Sequence, residues 1–244
     1  MLTLLTTVLL AAPSLTAQPR GDTPVAIDGK LDEAPWATAP VGSGFTERTP
    51  APGQPSPADS RVRVLYDAEA LYVGVELGLL PGETPRALEL TRDASRIWAD
   101  DAVTVKLDVL LDRRTTLGFV VNPAGARIDY IALDNGRVFR REFDAVWGVA
   151  TQVHADRWVA EFRLPYTALG LTRRAGERVL GMNITRDHNA RTATDDWSAL
   201  PPEFGAAAAT HYGTLQGLQD VGVPGRPITL IPYGLVKHPG DDAW

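Results

Sequence analysis

Short segments of alternating hydrophobic and polar residues dominate the chain after Arg20. Residues 61–67 (Arg-Val-Arg-Val-Leu-Tyr-Asp) alternate as a half-buried strand does, because successive side chains of a strand point to opposite faces. Residues 71–77 repeat the pattern after a short break, so the two segments predict a hairpin. Further strands are predicted at residues 102–108, 117–121, 127–133, 146–153, 157–164, 179–185 and 214–218.

Signals for helices are few and short. Asp32 is placed to cap one turn that ends near Trp36, and residues 85–90 and 165–169 indicate two more turns. Many short strands separated by turns predict an all-β protein. We therefore expect one antiparallel β-sandwich of the immunoglobulin or jelly-roll kind over residues 22–220, with a few short helical turns.

The two ends of the chain differ from this pattern. Residues 1–17 contain an apolar stretch of signal-peptide length that is too short to span a membrane comfortably. We predict a signal peptide over residues 1–17, and hence export to the periplasm, the outer membrane or the exterior. Residues 221–227 predict a linker, and the apolar residues 228–236 begin a strand with no partner after it. We expect residues 221–244 to be a linker and the start of a following region, or else an added edge strand.

Composition narrows the classes of function. The 244 residues include 24 Lys and Arg against 30 Asp and Glu, a net charge of −6, which argues against a nucleic-acid partner. Cysteine is absent, so disulfides, thiolate metal sites and cysteine nucleophiles are excluded. The adjacent acids Asp100 and Asp101 would point to opposite faces of a strand, whereas a glycosidase needs two facing carboxylates. The sequence therefore favours a protein that is not an enzyme, with a glycoside hydrolase as the weaker alternative.

Several motifs occur in the order found in one family of binding modules. They are Ile-Asp-Gly-Lys-Leu-Asp-Glu-x-x-Trp at 27–36, Trp-Ala-Asp-Asp-Ala-Val-Thr-Val at 98–105, Trp-Val-Ala-Glu-Phe-Arg-Leu-Pro at 158–165 and His-Tyr-Gly-Thr-Leu at 211–215. With them, residues 27–218 resemble a family 9 carbohydrate-binding module. Asp-Arg-Arg-Thr at 112–115, Val-Asn-Pro-Ala-Gly at 121–125 and Ile-Pro-Tyr at 231–233 resemble the subgroup in which this module precedes an outer-membrane β-barrel region of unknown function.

The resemblance implies a β-sandwich that holds the end of a sugar chain between two aromatic side chains. Trp98 stands at the first aromatic position, and Phe204 is the nearest candidate for the second. The remaining candidate ligand-binding residues are Asp100, Asp101, Arg186 and Trp197. At the positions of the family's sugar-binding glutamate and arginine the chain has Thr104 and Val120, which cannot replace the bidentate contact of an arginine.

The resemblance requires no cofactor, although modules of this family often hold structural calcium. Aspartates in plausible places for calcium are Asp28, Asp32, Asp67, Asp100 and Asp108. Haem binding through Met182 is a further alternative, but core packing explains this methionine better.

The leading interpretation is a non-catalytic carbohydrate-binding module of an exported cell-envelope protein. Its partner would be a polysaccharide or oligosaccharide, and its wider role would be linked to polysaccharide breakdown. The main alternative is an interaction or plug domain for the following outer-membrane barrel, without sugar binding. Thr104 and Val120 favour this alternative, because they lack the polar groups expected at those positions.

Overall fold

A computed structural model describes residues 12–225 of the chain. Within this range the chain forms fourteen β-strands, one short α-helix and two 3-10 helices. In chain order the elements are β1 (Ser14–Thr16), β2 (Gln18–Pro19), α1 (Ala34–Thr38), β3 (Thr46–Thr49), β4 (Ser60–Tyr66), β5 (Ala70–Gly78), η1 (Ser95–Ala99), β6 (Ala102–Asp108), β7 (Thr116–Val121), β8 (Arg127–Leu133), β9 (Val138–Arg140), β10 (Gly148–Val153), β11 (Arg157–Pro165), β12 (Glu177–His188), β13 (Ala193–Asp196), η2 (Ala209–His211) and β14 (Gly213–Gln219).

The strands form two packed sheets, which confirms the predicted all-β sandwich. The larger sheet has the order β1-β14-β12-β6-β7-β8-β9, with β13 pairing β12 and β3 pairing β13. The smaller sheet has the order β10-β11-β5-β4-β2. The predicted hairpin β4–β5 is confirmed as an antiparallel pair. The predicted strands that correspond to β6 and β7, and to β10 and β11, also form antiparallel pairs. The short strands β1 and β2 instead pair in parallel with β14 and β4.

The core lies between the sheets and follows the alternation along each strand. On β6, Val103, Val105 and Leu107 pack into the same buried cluster as Val73 and Val75 of the smaller sheet. The intervening residues of β6 face the opposite side of the larger sheet, which the smaller sheet does not cover. This second face carries the candidate site.

The first described residues belong to the sandwich. Leu15 and Ala17 are buried in the core, and β1 pairs with β14. Cleavage after Ala17 would therefore remove a strand that fills the core. The rest of the predicted signal peptide, and the strand predicted at 228–236, lie outside the described residues, so both stay predictions.

The helical elements are short, and their positions differ from prediction. Helix α1 begins after Glu33 rather than Asp32, and no side chain caps it. Glu33 instead accepts a hydrogen bond from the Ala26 N–H at 2.8 Å. Residues 85–90 form no helix, whereas the 3-10 helix η1, which carries Trp98, was not predicted. No helix of residues 12–225 has the length and hydrophobicity needed to cross a membrane.

Two of the sequence motifs meet at a buried glutamate. Glu161 Oε2 accepts hydrogen bonds from the backbone N–H groups of Asp28 and Gly29, both at 3.1 Å. Gly29 has φ of +82°, and a Cβ atom there would lie 2.8 Å from the carbonyl carbon of Thr151. The turn thus requires glycine. Burial raises the pKa of Glu161 to about 7.

Candidate functional site

A cavity of about 280 Å³ lies on the outward face of the larger sheet. Its floor is formed by β6 and β12, where Thr104 and Thr185 stand directly opposite each other in the ladder. Lys106 and Asp187 lie on the same face, because they are separated from these threonines by two positions. The volume is close to the lower end of the range for small-molecule sites, which is about 300–1,000 Å³.

Three aromatic side chains form one wall of the cavity. The ring centroid of Tyr130 lies 6.4 Å from that of Trp98 and 5.3 Å from that of Phe139. Trp98 projects from η1 and is 40% exposed, and Phe139 on the edge strand β9 is 44% exposed. Tyr130 is buried between them. Two accessible aromatic surfaces therefore flank a third ring within one cavity.

The polar floor is built around a buried lysine. Lys106 Nζ donates to Thr185 Oγ1 at 2.6 Å and to the carbonyl of Ala206. Burial lowers the pKa of Lys106 to about 8, so the amine is largely protonated at pH 7. An ammonium group has three donors, and the third remains available to the cavity.

Asp187 supplies the carboxylate of the cavity lining. Its Oδ1 accepts a hydrogen bond from Thr194 Oγ1 at 3.1 Å. Burial raises the pKa of Asp187, and the positive charge of Lys106 opposes that rise. The second carboxylate oxygen has no hydrogen-bond partner among residues 12–225, so it can accept from a ligand.

Arg48 and Asp196 form an ion pair at the edge of the floor. Arg48 Nε lies 3.6 Å from Asp196 Oδ2, and Asp196 is completely buried. Asp196 Oδ1 also accepts from the hydroxyl of Thr185. Arg48 lines the cavity, and the exposed Arg141 lies on the same lining. The cavity thus combines an aromatic wall with charged donors and one free acceptor.

Of the residues predicted for the site, Trp98 lines this cavity, and the two acids after it do not. Asp100 accepts from the backbone N–H groups of Leu88 and Glu89 at 2.9 and 2.8 Å. Asp101 accepts from the N–H of Arg86 at 3.2 Å. Both aspartates are buried and hold the preceding loop against η1, so they support Trp98 from behind.

Arg186 and Trp197 lie on the inner side of the larger sheet. Arg186 donates to Ser60 Oγ at 3.1 Å and to the carbonyl of Gly78 at 2.6 Å, both in the smaller sheet. Burial lowers the pKa of Arg186 to about 10. Trp197 belongs to the main core cluster. The alternation of β12 places Arg186 opposite to Asp187, away from the cavity.

Phe204 lines a different cleft from Trp98. It is 41% exposed, and its ring centroid lies 4.2 Å from that of His211. The neighbouring lining residues are Asp134 and Asn135, which follow β8. Trp98 and Phe204 therefore do not face each other across one site, and Phe139 takes the position beside Tyr130.

The two positions that depart from the family pattern have different surroundings. Thr104 lines the cavity floor. Val120 is buried in a small hydrophobic cluster with Ile128 and Tyr130, beneath the aromatic wall. The outward face is therefore more apolar at β7 than the resemblance implies.

The five aspartates proposed for calcium do not form a site. Among residues 12–225, no group of three or more His, Cys, Asp or Glu side chains is arranged to hold a metal ion. Asp67 accepts from the backbone N–H groups of Glu69 and Ala70, and Asp108 from those of Asp112 and Arg113. Such donors direct protons at the carboxylates and so oppose a cation. Asp100 is occupied in the same way, and Asp28 pairs with Lys30 on the surface.

Several lining residues were not predicted, and the sequence carries a signal for only some of them. Among them are Arg48, Lys106, Tyr130, Phe139 and Arg141. The alternation of β6 already separates the polar Thr104 and Lys106 from its apolar residues, which indicates a second, polar face. Nothing in the sequence places β3 or β9 beside that face, because this depends on strand order.

Comparison with solved structures gives similar folds at low identity. A family 9 carbohydrate-binding module from Caldicellulosiruptor kristjanssonii, in complex with cellotriose, has a TM-score of 0.57 and 14% identity, covering 91% of this chain and 100% of that one. A family 9 module from the same organism in complex with glucose also has a TM-score of 0.57 and 14% identity, covering 89% of this chain and 100% of that one. A protein from Bacteroides uniformis assigned as carbohydrate-binding has a TM-score of 0.63 and 13% identity, covering 84% of this chain and 99% of that one.

The comparisons establish the fold. No protein-family model matches the sequence, and no curated protein matches it significantly. The chain therefore has a β-sandwich fold like that of family 9 carbohydrate-binding modules.

Proposed function

We propose that the cavity on the larger sheet binds a carbohydrate, without catalysing a reaction on it. The observation that carries this proposal is the joining of Trp98, Tyr130 and Phe139 to a polar floor in one cavity. A sugar ring has an apolar C–H face and a rim of hydroxyl groups. The C–H face can pack against an aromatic wall, and the hydroxyl groups need donors and acceptors such as Lys106 and Asp187.

The fold supports the same proposal. Two solved structures with this architecture are modules in complex with cellotriose and glucose. We infer that this chain binds an oligosaccharide by an analogous use of the sandwich, through residues of its own.

The expected affinity is modest. Covering about 100 Å² of aromatic surface contributes about 2.5 kcal/mol. Each hydrogen bond adds about 1 kcal/mol net. A few such bonds, set against the entropy cost of association, lead us to expect weak binding.

The wider role is also a proposal. We propose that the chain acts as a binding module of an exported cell-envelope protein that takes part in polysaccharide breakdown. This part rests on the order of the sequence motifs. If the folded protein binds no sugar, the alternative of an interaction domain for a following outer-membrane region takes its place.

The test is calorimetric or NMR titration of the 244-residue chain with a panel of soluble oligosaccharides. We expect Trp98→Ala to abolish measurable binding. Phe204→Ala is the matched control, because its side chain is equally exposed at 41% against 40% but lines another cleft. Equal losses in the two variants, or no binding to any sugar by the folded chain, would contradict the proposal.

A further inference from the structure

Cationic groups outnumber anionic ones around the polar half of the cavity. Arg48, Lys106 and Arg141 line it, against the single carboxylate of Asp187. Resting on the proposed function, we propose that the ligand is an acidic sugar, a hexuronic acid unit whose carboxylate is bound by Arg48. The neighbouring structures in complex with cellotriose and glucose hold neutral sugars, so this assigns a different ligand class.

Arg48 has unused hydrogen-bond donors in a largely buried position. Its side chain is 14% exposed, and its ion pair with Asp196 joins Nε to Oδ2 at 3.6 Å, beyond hydrogen-bond distance. Within residues 12–225 the guanidinium makes no hydrogen bond, although it carries five donors. These donors line the cavity, where a ligand carboxylate could accept two parallel N–H···O bonds from the guanidinium.

The charges around Arg48 leave it free to act on a ligand. Asp196 is fully buried, and its Oδ1 is occupied by the hydroxyl of Thr185 and, more loosely, by Asn183 Nδ2 at 3.5 Å. It therefore stays behind the cavity wall. The five charged groups, Arg48, Lys106, Arg141, Asp187 and Asp196, have three positive charges against two negative ones.

The surroundings of Asp187 reduce its repulsion of an anion. The carboxylate accepts from Thr194, and the positive charge of Lys106 partly offsets its charge. Arg141 forms no ion pair within the described part of the chain and is exposed at the lining. The five groups therefore carry a net charge of 3 − 2 = +1, and Arg48 and Arg141 both line the cavity.

A neutral sugar would use this cavity less completely. It can cover the aromatic wall, but its hydroxyl oxygens give the guanidinium weaker neutral acceptors. Hydrogen bonds to a charged acceptor are about twice as strong as those between neutral groups. Two such bonds predict that the acidic sugar binds about tenfold more tightly or better.

The test compares three matched ligands on the full 244-residue chain. They are a neutral gluco-oligosaccharide, the same oligosaccharide ending in glucuronic acid, and the same one carrying a 6-sulfate. Titrations at about 50 and 300 mM salt separate a charged contact from a neutral one, because salt screens charge. The variants are Arg48→Gln and Arg141→Gln, and Arg140→Gln is an exposed neighbour that does not line the cavity.

We expect the uronic acid ligand to bind at least about tenfold more tightly than the neutral one at low salt. Arg48→Gln should remove this preference, Arg141→Gln should reduce it severalfold, and Arg140→Gln should leave it unchanged. If Arg48→Gln fails to fold, two measurements still test the inference. They are the difference in uronic acid preference between Arg141→Gln and Arg140→Gln, and the salt dependence of that preference in the wild type.

Three outcomes would overturn the inference. If the neutral and uronic acid ligands bind with equal affinity and binding still depends on Trp98, the acidic-sugar inference is rejected and the proposed function stands. Tighter binding of the sulfated ligand assigns the anion as sulfate and rejects the carboxylate. No binding of any of the three by the folded chain rejects both proposals.

Discussion

The ring of Tyr130 lies over the α-carbon of Gly118 on the neighbouring strand. The two residues are paired in the β7–β8 ladder. A Cβ atom on Gly118 would lie 2.1 Å from Tyr130 Cζ, so any other residue would displace the ring. The centre of the aromatic wall is therefore possible because β7 has no side chain at this position.

Gly118→Ala should disrupt the wall. The added methyl group forces Tyr130 away from the sheet, and overpacking of this kind costs about 1–3 kcal/mol of unfolding free energy. We also expect sugar binding to weaken at least severalfold, because Tyr130 supports both Trp98 and Phe139. Thermal unfolding and titration measure the two effects.

Gly148→Ala is the matched control for that variant. Gly148 also lies in a strand, but an added Cβ atom would meet only Arg163 Cβ at 3.8 Å, an ordinary contact. A similar loss of binding in the two variants would show that Tyr130 has no special part in the site.

Phe139→Ala should weaken sugar binding. Phe139 is the second accessible ring of the wall, and removing it takes away apolar surface that the sugar would cover. Because the side chain is 44% exposed, we expect little change in stability. Val138→Ala is the control, since Val138 is also 44% exposed on the same strand but does not line the cavity. If Phe139→Ala binds sugar with unchanged affinity, Phe139 is not part of the binding surface and Trp98 binds the sugar without it.

Leu15→Ala should destabilise the sandwich by about 2–5 kcal/mol. Leu15 is buried in the core, and its removal leaves a cavity beneath β1. Denaturant unfolding measures the change, with the exposed Ser14→Ala as the control. A loss below about 0.5 kcal/mol would mean that residues 14–17 are dispensable, as cleavage after Ala17 would require.

Glu161 should make stability depend on pH. Its pKa in the folded chain is about 7, above the ordinary value of 4.5, so the folded state holds a proton that the unfolded state releases. Stability from this group is complete below about pH 4.5 and is lost as pH rises through about 7. We expect a loss on the order of 3 kcal/mol between these limits.

Glu161→Gln tests this dependence, because glutamine still accepts from Gly29 but does not ionise. The variant should lack the fall in stability between about pH 4.5 and 7 that the wild type shows. The exposed Glu142→Gln is the control and should keep the wild-type profile. Parallel profiles for wild type and Glu161→Gln would refute the prediction.

Local patterns in the sequence determined the strands and their hairpins. Alternation along residues 61–67 and 102–108 specifies which side chains enter the core, because successive side chains of a strand point to opposite faces. Strands that are joined by short turns pair with each other, so their pairing follows from the sequence order alone. The fold class and most strands could be predicted for this reason, and Trp98 could be placed by its motif.

Tertiary structure alone decided which of the predicted residues reach the cavity. Arg186 and Asp187 are adjacent in the sequence, yet one contacts the smaller sheet and the other lines the cavity. Alternation separates them, but it does not say which face carries a site. Asp100 and Asp101 resemble ligand-binding acids in sequence, but the loop that folds back over them uses their carboxylates.

The composition of the cavity depends on contacts between distant parts of the chain. Arg48 reaches it through the pairing of β3 with β13, and Phe139 through the edge position of β9. The sequence by itself determined the sandwich and its two-faced strands, since these follow from local alternation. Only the strand order and the loop packing decided which charged and aromatic groups share one cavity, because those contacts join residues far apart along the chain.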